Sequence, residues 1–179
     1  MTTARLVGTV DIRPLLPGDG AALARAYASN REHLAPWEPL RPESWFTERG
    51  QEENVARLVD ERAAGRALPW VLLDGDRVVG GMTVSGIVRG PFLSGNLGYW
   101  VDGTVTRRGI ATAAVAHVLD ACAREGLHRV QAGTLVHNAA SQTVLLRNGF
   151  ARIGLAPRYL LIAGRWQDHV LYQRLLGDD

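Results

Sequence analysis

The chain has 179 residues, 46% hydrophobic and 21% charged, which is an ordinary globular balance and enough for one sizeable core. One cysteine excludes an intramolecular disulfide framework and a zinc site built on several thiolates, and no apolar run approaches the ~20 residues of a membrane span. All 20 basic residues are arginine, for a net charge of +2; the missing lysine excludes Schiff-base chemistry on lysine and a Walker lysine, and arginines with no run longer than Arg107-Arg108 leave no nucleic-acid footprint.

The first predicted element is a strand over Val7 to Leu16, stopped by Pro17 and Gly18. Asp19 can cap a helix running to Ser29, with Leu23, Ala26 and Tyr27 on its apolar side. Asn30 to Pro39, broken by Pro36 and Pro39, reads as irregular or short-helical. Ser44 can cap a second helix to about Ala64, ended by Gly65. Trp70 to Leu73 and Val78 to Ile87 flank Asp74-Gly75-Asp76 as a hairpin, and Phe92 to Val101 is a third long strand. Gly109 to Arg124 is helical, Arg129 to Val136 a strand, and Asn138 or Ala139 to Arg147 a helix stopped by Asn148-Gly149. Phe150 to Ile162 and Gln167 to Leu175 close the chain as a strand pair. The middle strands are antiparallel neighbours, and the crossover from Tyr99 to Val136 demands one parallel pair. The expected architecture is α/β (α+β): a mixed, mostly antiparallel central sheet with helices on both faces, in a single domain over residues 1–179.

Chemistry concentrates where the strand ending Tyr99-Trp100-Val101 turns through Thr106-Arg107-Arg108 into Gly109-Ile110-Ala111-Thr112. Free N–H groups and the positive end of a helix make such a turn an anion site, and the arginines add charge-assisted donors. A pyrophosphate fits this chemistry; a solvated helix cap fits the same residues. G-x-G-x-x-G and G-x-x-x-x-G-K-[ST] are both absent. Farther on, Asn138 ends a strand beside the turn, and its amide can bond a peptide-like ligand arm. Ser141 lies one helical turn later on nearly the same side.

Thr106-Arg-Arg-Gly109-Ile-Ala111, Asn138-x-x-Ser141 and Asn148-Gly149-Phe150 together resemble the acetyl-CoA-binding core of the GNAT N-acetyltransferases. Asn30-Arg-Glu-His-Leu-Ala-Pro-Trp37-Glu38 and the stretch Tyr159 to Val170 resemble the RimJ/RimL branch, the C-terminal stretch being more similar to RimJ than to RimL members. The resemblance covers Ile12 to Leu175. It implies an enzyme that moves an acetyl group from acetyl-CoA to the N-terminal α-amine of a protein, notably a ribosomal protein. It also implies a splayed parallel strand pair with the pantetheine arm bonded to the Tyr99–Val101 backbone. Arg107 to Thr112, with Arg108 and the Thr106 backbone, would cradle the pyrophosphate. Asn138 would hold the arm, Ser141 would sit near the sulfur, and Arg147 would reach outer phosphates.

Three positions depart from the pattern. Thr106 replaces a usual Gln or Arg, Gly133 stands where some N-terminal acetyltransferases of the superfamily carry a glutamate base, and Leu145 where they carry a tyrosine acid. Ser141 therefore inherits the acid role by resemblance, a backbone N–H near Val101 is a candidate oxyanion donor, and no general base is assigned. Ser141 also fits a helix-start hydroxyl bonding backbone.

Acceptor-side candidates are His33, Trp37, Glu38, His137 and Tyr159. Glu38 can attract a cationic N-terminus, act as base, or be a solvated carboxylate. His137 has the chemistry of a base or is simply exposed, while Trp37 and Tyr159 also fit packing roles. Cys122 shares a helical face with Ala111, Val115 and Val118 and reads as core; Trp45, Trp70 and Trp166 read as packing anchors. The histidines show no paired spacing, so no metal is expected. Two rival readings are a GNAT acting on a small amine (antibiotic, polyamine or amino acid) and a non-catalytic acyl-CoA-binding sensor. The cleft residues leave acyl groups such as propionyl or succinyl open. With no charged and apolar leader pattern over Met1 to Val10, the expected compartment is the cytoplasm, with no membrane partner and a monomer or homodimer.

Overall fold

Alternation along the strands decides which way the sheet is covered. In Leu68–Asp74, Leu68, Trp70 and Leu72 turn to one face and Val71 and Leu73 to the other, and both sets are packed, so helices must lie on both sides. The computed structural model of the chain describes residues 3–177. Its strands are β1 (Ala4–Val7), β2 (Val10–Pro14), β3 (Leu68–Asp74), β4 (Arg77–Val88), β5 (Ser94–Val101), β6 (Arg129–Leu135), β7 (Ala151–Ile162) and β8 (Arg165–Leu175). Its α-helices are α1 (Gly20–Ser29), α2 (Arg31–Leu34), α3 (Glu48–Ala63), α4 (Ile110–Arg124) and α5 (Ala139–Arg147). The strands form one sheet in the order β1-β2-β3-β4-β5-β6-β8-β7, with β5–β6 the parallel pair and all other neighbours antiparallel. This is the mixed, mostly antiparallel sheet expected.

One core lies under α4, where Ile110, Ala114, Val115, Val118 and Cys122 meet Ile12, Trp70, Leu72, Val130 and Tyr172. On the opposite face α1 and α3 bring Leu23, Tyr27 and Val55 against Val71, Val78 and Trp100. Three local expectations are corrected. The first strand is two strands, because Gly8 sits at φ +58° and turns the chain between β1 and β2. Ser44 falls in a 3-10 turn over Glu43–Phe46, and the cap of α3 is Thr47, whose hydroxyl oxygen accepts from the Gly50 N–H at 3.1 Å. Trp166 is no packing anchor: it is 63% exposed, since it lies near the turn of the β7–β8 hairpin beyond any covering helix.

The feature that positions the site is a break in the middle of the sheet. β5 and β6 pair only at Ser94–Arg129, Gly95–Val130 and Asn96–Gln131. A register shift in β4 between Ser85 and Val88 bends the β4–β5 ribbon opposite this short ladder. Beyond Asn96, β5 stays paired with β4 as far as Val101, and β6 stays paired with β8 as far as Leu135. The two strands keep their outer partners and lose each other. No helix among the described residues is long and apolar enough to cross a membrane.

Candidate active site

Backbone groups on the inner edges of β5 and β6 face each other across this gap without ladder partners, an arrangement that accepts an extended, peptide-like chain as an added strand. The gap widens into a cleft of about 1010 Å³ that both faces of the sheet line. Tyr99, Trp100, Val101, Thr106, Arg107, Gly109, Ile110, Ala111, Thr112, Asn138, Ser141 and Arg147 all lie in its wall, as do His33, Trp37 and Glu38. Arg108, His137 and Tyr159 are not in that wall.

At one end the chain runs from β5 through a 3-10 turn, Gly103–Val105, into α4. Arg107 (φ +61°) and Gly109 (φ +77°) are both left-handed. Positive φ on either side of Arg108 is the kind of backbone that turns N–H groups into a concavity suited to an anion. The first backbone bond of α4 runs from Ala113 N–H to Gly109 C=O, so the N–H groups of Ile110, Ala111 and Thr112 have no partner within the helix. A Cβ at Gly109 would meet nothing within 4 Å, so its positive φ, not crowding, is what calls for glycine. The left-handed Arg107 sends the next side chain outward: the Arg108 guanidinium lies 3.8 Å from where a Cβ of Gly8 would be, away from the cleft.

The turn is anchored by a buried polar knot. The Asn30 amide donates to the Asp102 carboxylate (3.0 Å) and to the Ala26 carbonyl (3.0 Å), and its oxygen accepts from the Gly103 N–H (2.9 Å). Asp102 also accepts from the Thr104 N–H at 2.8 Å and hydroxyl at 2.6 Å. Asn30 and Asp102 are both almost fully buried. Burial works to raise the Asp102 pKa, but the bonds from Thr104 and Asn30, with Arg77 nearby, hold this carboxyl below its ordinary value.

On the α5 side, Asn138 caps the helix by accepting the Ser141 N–H at 3.0 Å, which leaves its Nδ2 group to donate elsewhere. The hydroxyls of Ser141 and Tyr99 share a hydrogen bond of 2.8 Å. Burial pushes the Tyr99 phenol up to about 12, against the lowering effect of the Ser141 bond, so it stays protonated at neutral pH. When the phenol donates to Ser141 Oγ, the serine proton is free to point into the cleft. Thr134 adds a buried hydroxyl in the cleft wall with no partner among the described residues.

The other face is aromatic and contains one carboxylate. Tyr27 packs on Trp100 at 4.8 Å, and its phenol is raised mainly by burial. Glu38, the sole Asp or Glu in the wall among the described residues, accepts from Arg41 Nε at 3.1 Å. The Glu38 carbonyl accepts the Ala163 N–H at 3.0 Å, tying this segment to the β7–β8 turn. His33 covers Gly103, His137 lies against Trp37 with tilted rings 5.6 Å apart, and Tyr159 lies against His169 with tilted rings 5.7 Å apart.

Sequence reasoning missed the Tyr99 side chain, Thr134, Arg41, Tyr27 and His169 as parts of this wall. The alternation of β5 carried a signal for Tyr99, since Trp100 faces the α1–α3 core and its neighbour must face α5. Cys122 is wholly buried, and burial pushes its thiol up to about 12, which suits a packing residue and not a nucleophile. No group of three or more His, Cys, Asp or Glu able to hold a metal occurs among the described residues.

A family model for the acetyltransferase (GNAT) domain matches residues 9–151. The ribosomal protein uS5-alanine N-acetyltransferase of Escherichia coli (strain K12) is 35% identical over 174 residues, 96% of this chain and 88% of that protein. The crystal structure of ribosomal-protein-S5-alanine acetyltransferase from Vibrio fischeri superposes with a TM-score of 0.94 at 31% identity, covering 99% of this chain and 98% of that one. Mycobacterium smegmatis RimJ in complex with CoA-disulfide gives 0.92 at 35% identity, over 98% of this chain and 87% of that one.

Proposed function

We infer the reaction from the premise that this chain belongs to the GNAT acetyltransferase family: it acetylates the N-terminal α-amine of a protein, with acetyl-CoA as donor and a ribosomal protein as acceptor. The observation that carries the reading is the break between β5 and β6, flanked at one end by the anion concavity and on the α5 side by the Tyr99–Ser141 hydroxyl pair. The residues fit the co-substrate. The concavity at Arg107–Thr112 suits a pyrophosphate, the unpaired strand edges and Asn138 Nδ2 suit the pantetheine amides, and Arg147 suits an outer phosphate. The unpartnered Thr134 hydroxyl is a further polar group in that wall. Acetyl-CoA brings an activated thioester when bound. In this reading Ser141 protonates the departing sulfur, with Tyr99 orienting its hydroxyl, and a backbone N–H near Val101 stabilises developing negative charge on oxygen.

The acceptor side favours a peptide α-amine over a polyamine or aminoglycoside. A polycation needs several uncompensated carboxylates, whereas among the described residues Glu38 stands alone in the wall and already pairs with Arg41. An α-amine, with a reference pKa of about 7.7 to 8.0, is partly neutral at pH 7 and asks less of the site. The whole chain forms one acetyltransferase domain, with the cytoplasm, where ribosomal proteins are made, as its compartment.

The test is thiol release from acetyl-CoA with peptides beginning in Ala, Ser, Thr, Met or Asp, alongside polyamines and aminoglycosides, with mass spectrometry to locate the acetyl group. Label on a peptide α-amine is expected. Label on small amines alone moves the protein to another acceptor class, and tight acetyl-CoA binding without turnover makes it a sensor. A second prediction concerns the phosphate end. Gly109→Val forces a β-branched residue into a left-handed conformation at a cost of about 1–2 kcal/mol. The KM for acetyl-CoA should rise about tenfold, the equivalent of about 1.4 kcal/mol, while kcat at saturation changes little. An unchanged KM would remove the concavity from co-substrate binding.

A further inference from the structure

We propose that His169 is the general base that takes the proton from the attacking amine. The proposal rests on the acyl-transfer reading above and fills the role that no residue of the sequence pattern claims.

His169 lies on β8 opposite Leu135, where β6 reaches the open end of the cleft, and its side chain lines that cleft although the residue is only 3% exposed. Its Nδ1 is 3.0 Å from the Gln167 carbonyl oxygen. A carbonyl can only accept, so in the neutral ring Nδ1 carries the hydrogen and Nε2 carries the lone pair. Nε2 has no protein partner among the described residues. The imidazole of this buried cleft-wall residue is therefore tethered through one nitrogen, and its basic nitrogen is left without a protein partner. Tyr159 supports the ring from β7 at 5.7 Å. On β6 the residue beside it is Gly133, where a Cβ would stand 3.7 Å from His169 Cδ2 and 3.7 Å from Tyr159 Cε1.

The other basic groups are engaged elsewhere. Glu38 is bonded to Arg41, His33 lies over Gly103 at the phosphate end, and His137 lies against Trp37 outside the cleft wall. Asp168, next in the chain, accepts the Arg158 N–H at 2.8 Å. From the packed elements, β7 contributes the titratable Tyr159 and β6 contributes only Gly133 and Leu135; across the cleft the charges of Glu38 and Arg41 offset each other. The step balances. The amine nitrogen bonds to the acyl carbon as the carbon–sulfur bond breaks, its proton passes to His169 Nε2, and the thiolate takes a proton from Ser141, which Tyr99 and solvent restore. His169 then releases its proton to water.

The experiment compares His169→Gln with wild type on the best acceptor peptide, across pH. The expected result is a loss of about 100-fold in kcat/KM for the acceptor, at the low end of general-base effects because an α-amine is already partly neutral. The KM for acetyl-CoA stays unchanged, the remaining activity follows the ionisation of the amine alone, and added imidazole partly restores turnover in His169→Ala. A glutamine variant within threefold of wild type, with the wild-type pH profile, overturns the base and leaves the acyl-transfer reading standing. Wild-type protein that turns over no amine overturns both. Nitrogen-15 NMR of the histidine rings in the free wild-type protein tests the proposal without any variant: in the neutral ring of His169 the hydrogen is expected on Nδ1 with Nε2 bare, and the opposite tautomer overturns it.

Discussion

Ser141→Ala lowers kcat by about 10²–10³-fold and leaves the KM for acetyl-CoA within about threefold of wild type. Among the described residues the serine makes no other side-chain bond than the one to Tyr99, while its N–H, which the substitution keeps, is what Asn138 caps. Helix α5 should therefore survive, and the loss should fall on the step in which sulfur departs. Tyr99→Phe removes the proton that holds Ser141 Oγ but not the serine hydroxyl itself, so its effect should be smaller, about tenfold. In the double variant the two losses should not add, because both act through one hydroxyl. The check is steady-state kinetics with a located acetyl product. A kcat for Ser141→Ala equal to wild type would remove both hydroxyls from the chemistry, leaving them a structural tie between β5 and α5.

Asp102→Ala has the largest expected effect on stability. It removes a charge-assisted acceptor from the buried Asn30 amide, leaving one of its hydrogens unpaired, and unties the exposed Thr104 from the turn, at a cost of about 3 kcal/mol. For a chain of this size that corresponds to a fall of roughly 6–12 °C in Tm. The same substitution frees the turn that leads into Arg107–Thr112, so the KM for acetyl-CoA should rise as well. Acid reports the same knot in the unaltered protein. Because the folded carboxyl sits below its ordinary value, its contribution is complete above the unfolded pKa of about 3.9 and is lost as pH falls through the lower folded value. Wild type should lose stability on acidification through that window, and Asp102→Ala should lose less over the same interval. Denaturant titrations at several pH values read both. Parallel pH dependence in the two proteins would show that the carboxylate carries none of it.

Local pattern made much of this legible, and tertiary distance hid the rest. The β3–β4 hairpin, the crossover through α4 and the turn at Arg107–Gly109 are written in periodicity and short spacing, so their elements and their place beside a cleft followed from the residues. Arg108 did not, because its direction depends on the φ of the residue before it. The Asn30–Asp102 bond joins residues 72 apart, and the Tyr99–Ser141 bond residues 42 apart; no window of sequence holds both partners. His169 looked like one of five unpaired histidines until strand register set it opposite Leu135. Trp166 was misread because aromatic character alone does not say whether a hairpin tip is covered.

The short ladder between Ser94–Asn96 and Arg129–Gln131 also gives the molecule a mechanical character. It makes the sheet two ribbons, β1 to β5 and β6 to β8, sewn together by a three-residue seam with a few stitches elsewhere, among them the Glu38–Ala163 bond. A ligand laid along the gap is then a splint: it knits the ribbons over the stretch where the protein cannot knit itself. The core under α4 still packs both ribbons, so what the ligand adds is the backbone pairing that the gap lacks. Twisting of one ribbon against the other should be the softest motion of the free protein and the first to be quenched when the thioester arrives.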